Sequence, residues 1–261
     1  MTIATSPVSP PTSKAASRRR SVRAVLAQAR LELLLTLRRG ESLLVAFLVP
    51  IGILVFFAKV DVVNTTLTHP VDFLVPGVLA LAVLSSAMVS LGIATGFERR
   101  YGVLKRLGST PLSRGGLLVA KTIVVLVIEA VQAVVIVATG LALGWDPKGS
   151  LALAVLLLLV GTVAFAGIGL LMAGTLRAEA NLALANALFL VLLFLGGMAY
   201  PLHKLPNVLE TVARALPAAA LAESVRAVLG GHAFPWGHVG VLIAWAIGAP
   251  LVAARAFTWE E

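Results

Sequence analysis

Residues 73–114, "FLVPGVLALAVLSSAMVSLGIATGFERRYGVLKRLGSTPLSR", decide the architecture. The first 25 of them, from Phe73 to Phe97, carry no charge, and the next seventeen carry six charges, five of them basic. About 20 apolar residues at 1.5 Å each cross the roughly 30 Å hydrocarbon core of a bilayer. The stretch therefore reads as a membrane-crossing helix that runs straight into a basic segment. Its apolar residues are continuous and do not alternate, which implies helices and excludes a barrel.

The rest of the chain has the same character. Its 261 residues have a mean hydropathy of +0.99 and are only 13% charged, far from the composition of a soluble domain. Hydropathy predicts six spans, at 42–58, 73–97, 116–144, 149–176, 181–200 and 234–254. The first is short, and Pro50 and Gly52 near its middle predict a kinked or tilted helix.

Lysine and arginine fix the orientation, because positively charged loops stay on the cytoplasmic side. An even number of spans places both termini on one face, and that face holds sixteen of the 21 basic residues. The termini and the basic segment are expected in the cytoplasm, in a multi-pass protein of the plasma membrane. The net charge of +9 then follows from this bias and from attraction to anionic lipid, with no nucleic-acid partner required. With no cysteine there is no disulfide. Residues 1–20 are rich in Pro, Ser and Thr and lack the apolar core of a cleavable signal, so they read as a disordered cytoplasmic tail ahead of one domain at 21–261.

Within 21–39, Val22, Leu26, Ala29, Leu33 and Leu37 recur three or four apart while Arg23 and Arg30 share another face. This predicts an amphipathic helix along the inner leaflet, ending at the break Arg38-Arg39-Gly40. In the basic segment, Phe97, Tyr101, Leu104 and Leu107 form an apolar stripe at helical spacing, with Arg99, Arg100 and Arg106 off it. A short helix over 97–110 with one greasy and one basic face is expected. It stops at Gly108, and Thr110 and Pro111 have the form of a cap and first helical position for the next segment. A loop that merely anchored topology would need the charges but not the stripe.

The run "FERRYGVLKRLGSTPLSRGGLLVAK" resembles the stretch after the second span in permeases of type-2 ABC exporters. The residues that carry the resemblance are Glu98, Arg99, Gly102, Leu104, Lys105, Arg106, Leu107, Thr110, Pro111, Leu112 and Lys121. Tyr101 departs from it, at a place that is often acidic or small. The resemblance implies that 97–110 is a coupling helix, which docks on a separate cytoplasmic ATPase subunit and passes its closure to the spans. Pro76 and Gly77 match the start of the family's second span. The segment 201–231, through Pro201, Pro206, Pro217 and Arg226, is similar to its external run of short helices. Two short amphipathic helices there, carrying Val208, Leu209, Val212 and Leu216 and then Leu221, Val225 and Val228, are expected to dip back into the outer leaflet as an exit gate. The nearest branch is the daunorubicin type of multidrug efflux and antibiotic-resistance permease. The resemblance also implies a second permease copy, a homodimer unless a sister chain exists.

A motor within the chain is not expected. The near miss "GGLLVAKT" at 115–122 has alanine where a phosphate-binding loop needs glycine, and it runs into a span with no preceding strand. ATP and magnesium are thus assigned to the partner, and the chain is not an enzyme. His69, His203, His232 and His238 show no metal-ligand spacing. Glu129 lies about eight residues into the third span, where an ionised carboxylate is costly, with Gln132 on the same face. It reads either as a pathway site or as a hydrogen-bonded helix contact. Small residues, Ser86, Ser90 and Ala94 or Gly92 and Gly96 in the second span and Gly169 with Ala173 in the fourth, are packing positions. Few aromatics, 6%, point away from sugar stacking and toward hydrophobic or amphipathic drugs or lipids as cargo. Two other functions fit a polytopic chain: an ion-coupled transporter or channel using Glu129, and a membrane scaffold that only holds a cytoplasmic partner.

Overall fold

The computed structural model describes residues 14–38, 40–59, 70–104, 114–198 and 200–258. Among them the regular structure is all helical, without a strand. The helices are α1 (Lys14–Arg38), α2 (Gly40–Lys59), α3 (Pro70–Arg100), α4 (Arg114–Ala142), α5 (Leu151–Thr175), α6 (Ala178–Leu195), α7 (Asn207–Arg214), α8 (Pro217–Leu229) and α9 (Trp236–Ala256). A 3-10 turn, Leu202–Lys204, stands between α6 and α7.

Among the described residues, five helices are long and apolar enough to cross a membrane: α3, the Val119–Ala142 part of α4, α5, α6 and α9. They coincide with the second to sixth expected spans. The first expected span lies in α2, which continues as helix through Pro50 and whose apolar part is the shorter stretch Phe47–Ala58. Helix α1 begins at Lys14, several residues before the expected 21, because Ala15, Ala16 and the arginines that follow are good helix formers. It ends at Arg38, where the break was expected.

Helix α3 is the axis of the bundle, and nearly every residue from Val71 to Leu84 is buried. At 31 residues it is roughly 46 Å long. Around it pack α2, α4, α5, α6 and α8, with Phe165, Leu74, Leu81, Leu84, Met88 and Leu221 filling the interior. Between helices in a membrane, close packing of this kind supplies most of the attraction, since lipid is as apolar as leucine.

Part of α3, Leu84–Ser90, is π-helical. The wider turn carries the backbone out of the ordinary helical register, so Ser86 is buried whereas Ser90 is exposed. The serine-serine-alanine spacing seen in the sequence therefore does not form one packing face. The glycines do: a Cβ on Gly169 of α5 would stand 2.6 Å from the Met88 carbonyl oxygen, and one on Gly92 would stand 3.0 Å from that of Gly169. The two backbones touch where the π segment ends.

The segment after α6 starts at Gly196 and Gly197, the latter at φ +65°. Pro217 occupies the first turn of α8, as its fixed φ favours. Helix α8 is packed among α3, α5 and α9, with Leu221 and Val225 fully covered. Helix α7 is the opposite, because its apolar residues Val208, Leu209 and Val212 are exposed.

Candidate functional site

The basic end of α3 gathers four helices, α1, α4, α5 and α6, and the residues that follow α9. The apolar stripe through Phe97 prolongs the helix past the expected end of the span, so Phe97, Glu98, Arg99 and Arg100 form its last turn. The chain then turns at Tyr101 and at Gly102, whose φ of +66° is the left-handed conformation that glycine adopts freely. Val103 and Leu104 start a new helical turn. Lys105, Arg106, Leu107, Thr110 and Pro111 lie outside the described residues. In the expected stripe Leu104 is buried, while Tyr101 is exposed and stacks on Phe97 with 6.1 Å between ring centres.

Each of the three consecutive charges reaches a different helix. Glu98 Oε2 meets Lys121 Nζ of α4 at 2.6 Å, and the same ammonium lies 3.5 Å from Glu32 Oε1 of α1. Gln28 donates to that Glu32 oxygen at 2.9 Å. Lys121 is 3% exposed, so its charge is held by two carboxylates in place of water. The near miss for a phosphate loop is thus the helical start of α4, and its lysine is an internal counter-ion. Below it, Ala29 of α1 packs on Ala120 and Val124, with Val25 and Leu33 alongside.

Arg99 was expected on a basic outer face, but only 5% of it is exposed. Its guanidinium donates to the carbonyls of Ala173 at 2.9 Å and Leu176 at 3.0 Å, and Thr258 Oγ1 lies 3.4 Å away. The last carbonyls of a helix have no partner within it and carry partial negative charge, so a planar cation at the end of α5 satisfies both needs. Thr258 also donates to Gly174 O at 2.7 Å, which draws the residues after α9 into the same joint. Arg100 pairs with Glu179 in the first turn of α6, an exposed contact that contributes little stability. Two residues further along α6, the buried Asn181 donates to Gly92 O at 2.8 Å.

Deeper in the bundle, Thr162 Oγ1 of α5 donates to Glu129 Oε2 at 2.6 Å, and Ser86 Oγ of α3 donates to Gln132 Oε1 at 2.9 Å. Glu129 and Gln132 are both buried, so the polar pair of α4 ties together the three helices at the centre of the fold. The Gln132 contact comes from the π segment of α3.

At the opposite end of α3, Arg226 of α8 joins three parts of the chain. It pairs with Glu223 at 2.5 Å, donates to Gly197 O at 2.7 Å, and lies 3.8 Å above the Phe73 ring. Of the other residues expected at this gate, Pro201 is buried, Pro206 precedes α7 and Pro217 starts α8. Among the described residues, no three His, Cys, Asp or Glu side chains stand close enough together to hold a metal ion.

The fold defines a polytopic helical membrane protein whose basic helix end is bolted to its neighbours. The family model of the ABC-2 type transporter matches residues 23–229, so the chain belongs to that family. It is also 25% identical over 220 residues to "Putative transport permease YvfS" of Bacillus subtilis (strain 168), across 80% of this chain and 86% of that protein. The chain is therefore a membrane transport subunit of the ABC type.

Proposed function

We propose that the chain is the permease subunit of an ATP-driven exporter. It moves a hydrophobic or amphipathic drug or lipid out of the cytoplasm or inner leaflet, and a separate ATPase subunit hydrolyses the ATP. The ATPase docks at 97–110. Two permease copies, alike or sister chains, line the pathway, and each has six spans with both termini in the cytoplasm of a plasma-membrane protein. Helix α1 lies along the inner leaflet, and 201–231 forms a gate that re-enters the outer one.

The observation that carries this reading is the joint at Glu98, Arg99 and Arg100. A docking element whose consecutive charges hold α1, α4, α5 and α6 moves those helices when it moves. A topology anchor would need no buried arginine on two carbonyls. The ion-coupled alternative rests on Glu129, but that carboxyl is turned inward onto Thr162. Here it acts as a strut between α4 and α5.

The test is copurification of an ATPase subunit with the chain, followed by reconstitution and uptake of an amphipathic dye into inside-out vesicles. Uptake that requires both ATP and the partner supports the exporter. Uptake that follows an ion gradient without ATP refutes it.

A further inference from the structure

Helix α1 lies against the bundle with one side and leaves the other uncovered. Val25, Ala29 and Leu33 pack on Ala120 and Val124 of α4, where Lys121 meets its two carboxylates. On the uncovered side Leu26, Leu31, Leu34 and Leu37 are each about half exposed, and Arg23, Arg30 and Arg38 are exposed among them. At about 3.6 residues per turn the arginines share one side of the helix, with Leu26 and Leu37 along one edge and Leu31 and Leu34 along the other. Successive arginines stand roughly 10 and 12 Å apart along the axis, far enough to meet separate headgroups.

The charges of the helix are divided between its two sides. Its sequence carries seven basic residues and a single acid, Glu32. That acid is turned inward: its side chain is 15% exposed, accepts from Gln28 at 2.9 Å and lies 3.5 Å from Lys121 Nζ. The outer side is therefore basic with no acid to offset it. Water alone would suit the arginines and not the leucines, and hydrocarbon alone would suit the leucines and not the arginines. A leaflet surface with negative headgroups satisfies both, because guanidinium pairs with phosphate oxygens while the leucines reach the acyl chains beneath. A nucleic acid would leave the leucines in water, and a purely zwitterionic surface would leave the net charge unmatched.

We propose that the outer side of α1 is a binding surface for anionic phospholipid of the inner leaflet, with Arg23, Arg30 and Arg38 on headgroup phosphates and the leucines on the acyl chains. This deepens the exporter reading, on which the placement of α1 along that leaflet rests, by giving the helix a lipid selectivity. Lipid contact itself is independent of any ATPase.

The test uses the full chain with Leu34→Cys, the sole thiol in a sequence without cysteine, carrying an environment-sensitive fluorophore in lipid nanodiscs. The discs hold phosphatidylcholine with a minor fraction of phosphatidylglycerol. In matched samples an equal amount of one lipid or the other bears a nitroxide quencher high on its acyl chain. The anionic quencher is expected to act at least about twofold more strongly than the zwitterionic one, since each arginine near a charged leaflet adds to the attraction. The preference should shrink at high salt and vanish when Arg23→Gln, Arg30→Gln and Arg38→Gln are combined. These side chains are exposed, so the triple variant should fold, and the other basic residues of that face keep its topology. Equal quenching by the two lipids, or a preference undiminished by salt or by the triple substitution, overturns the proposal. Quenching by neither lipid overturns it as well, since protein would then cover the face. ATP-driven uptake without the lipid preference would sink this surface and leave the exporter standing. Lipid preference without ATP-driven uptake would do the reverse.

Discussion

Replacing Arg99 by alanine removes the joint at the cytoplasmic end of α3 in one step. The guanidinium makes two short charge-assisted bonds, to Ala173 O and Leu176 O. Hydrogen bonds to a charged group are worth about 1.5–3 kcal/mol each. The carbonyls left behind are at the end of α5, and one loses its only cap from outside the helix. The expected destabilisation is therefore roughly 3–5 kcal/mol. Arg99→Lys keeps the charge but reaches one carbonyl at a time, so it should lose about half of that. Both variants would be followed by reversible denaturant unfolding in detergent, with helix content and near-ultraviolet signal read together. A loss below about 1 kcal/mol, the range of an ordinary exposed ion pair, would refute the claim that Arg99 is a structural bolt.

Three further outcomes follow from the packing. Gly169→Ala puts a Cβ 2.6 Å from the Met88 carbonyl and should cost about 1–3 kcal/mol of stability, measured by the same unfolding assay. Glu129→Gln keeps the shape and the Thr162 contact, so insertion, melting and transport should all stay near wild type; a loss of transport from an intact fold would make Glu129 a pathway residue and not a strut. Single cysteines in this cysteine-free chain should react with an impermeant thiol reagent at Val208, Leu209 and Val212 of the exposed α7. They should be protected at Leu221 and Val225 of the covered α8, and uniform labelling across both helices would contradict the packing of α8.

Much of this molecule is legible in its sequence, for identifiable reasons. The spans are apolar runs at membrane length, charge-free but for Lys121 and Glu129 in the third, so α3, α4, α5, α6 and α9 emerge from hydropathy alone. The glycine pair Gly92 and Gly169 is visible as small residues at helix interfaces. Arg99 was misplaced because helical spacing alone assigns it to an outer face. Its burial depends on the carbonyls of α5, some 75 residues away in the chain. Lys121 sat inside a rejected motif, and its partners Glu32 and Glu98 come from two other helices. Asn181 read only as the beginning of a span. The π segment has no local breaker such as proline, so nothing in 84–90 announces it. The α4–α5 loop meets the end of α8 only through backbone contacts between distant parts of the chain, and only the glycines at 149 and 231 hint at the close approach.

Arg100 offers the most direct test of the central claim, that the basic end of α3 transmits ATPase work to the spans. Its side chain is 42% exposed and its pair with Glu179 is a surface contact, so Arg100→Ala should leave the fold intact, within about 0.5 kcal/mol. The measurement is the amount of dye transported per ATP hydrolysed in proteoliposomes that contain the permease and its ATPase, for wild type and Arg100→Ala. The account predicts that ATP hydrolysis persists while transport per ATP falls severalfold. An unchanged ratio in the variant would contradict it.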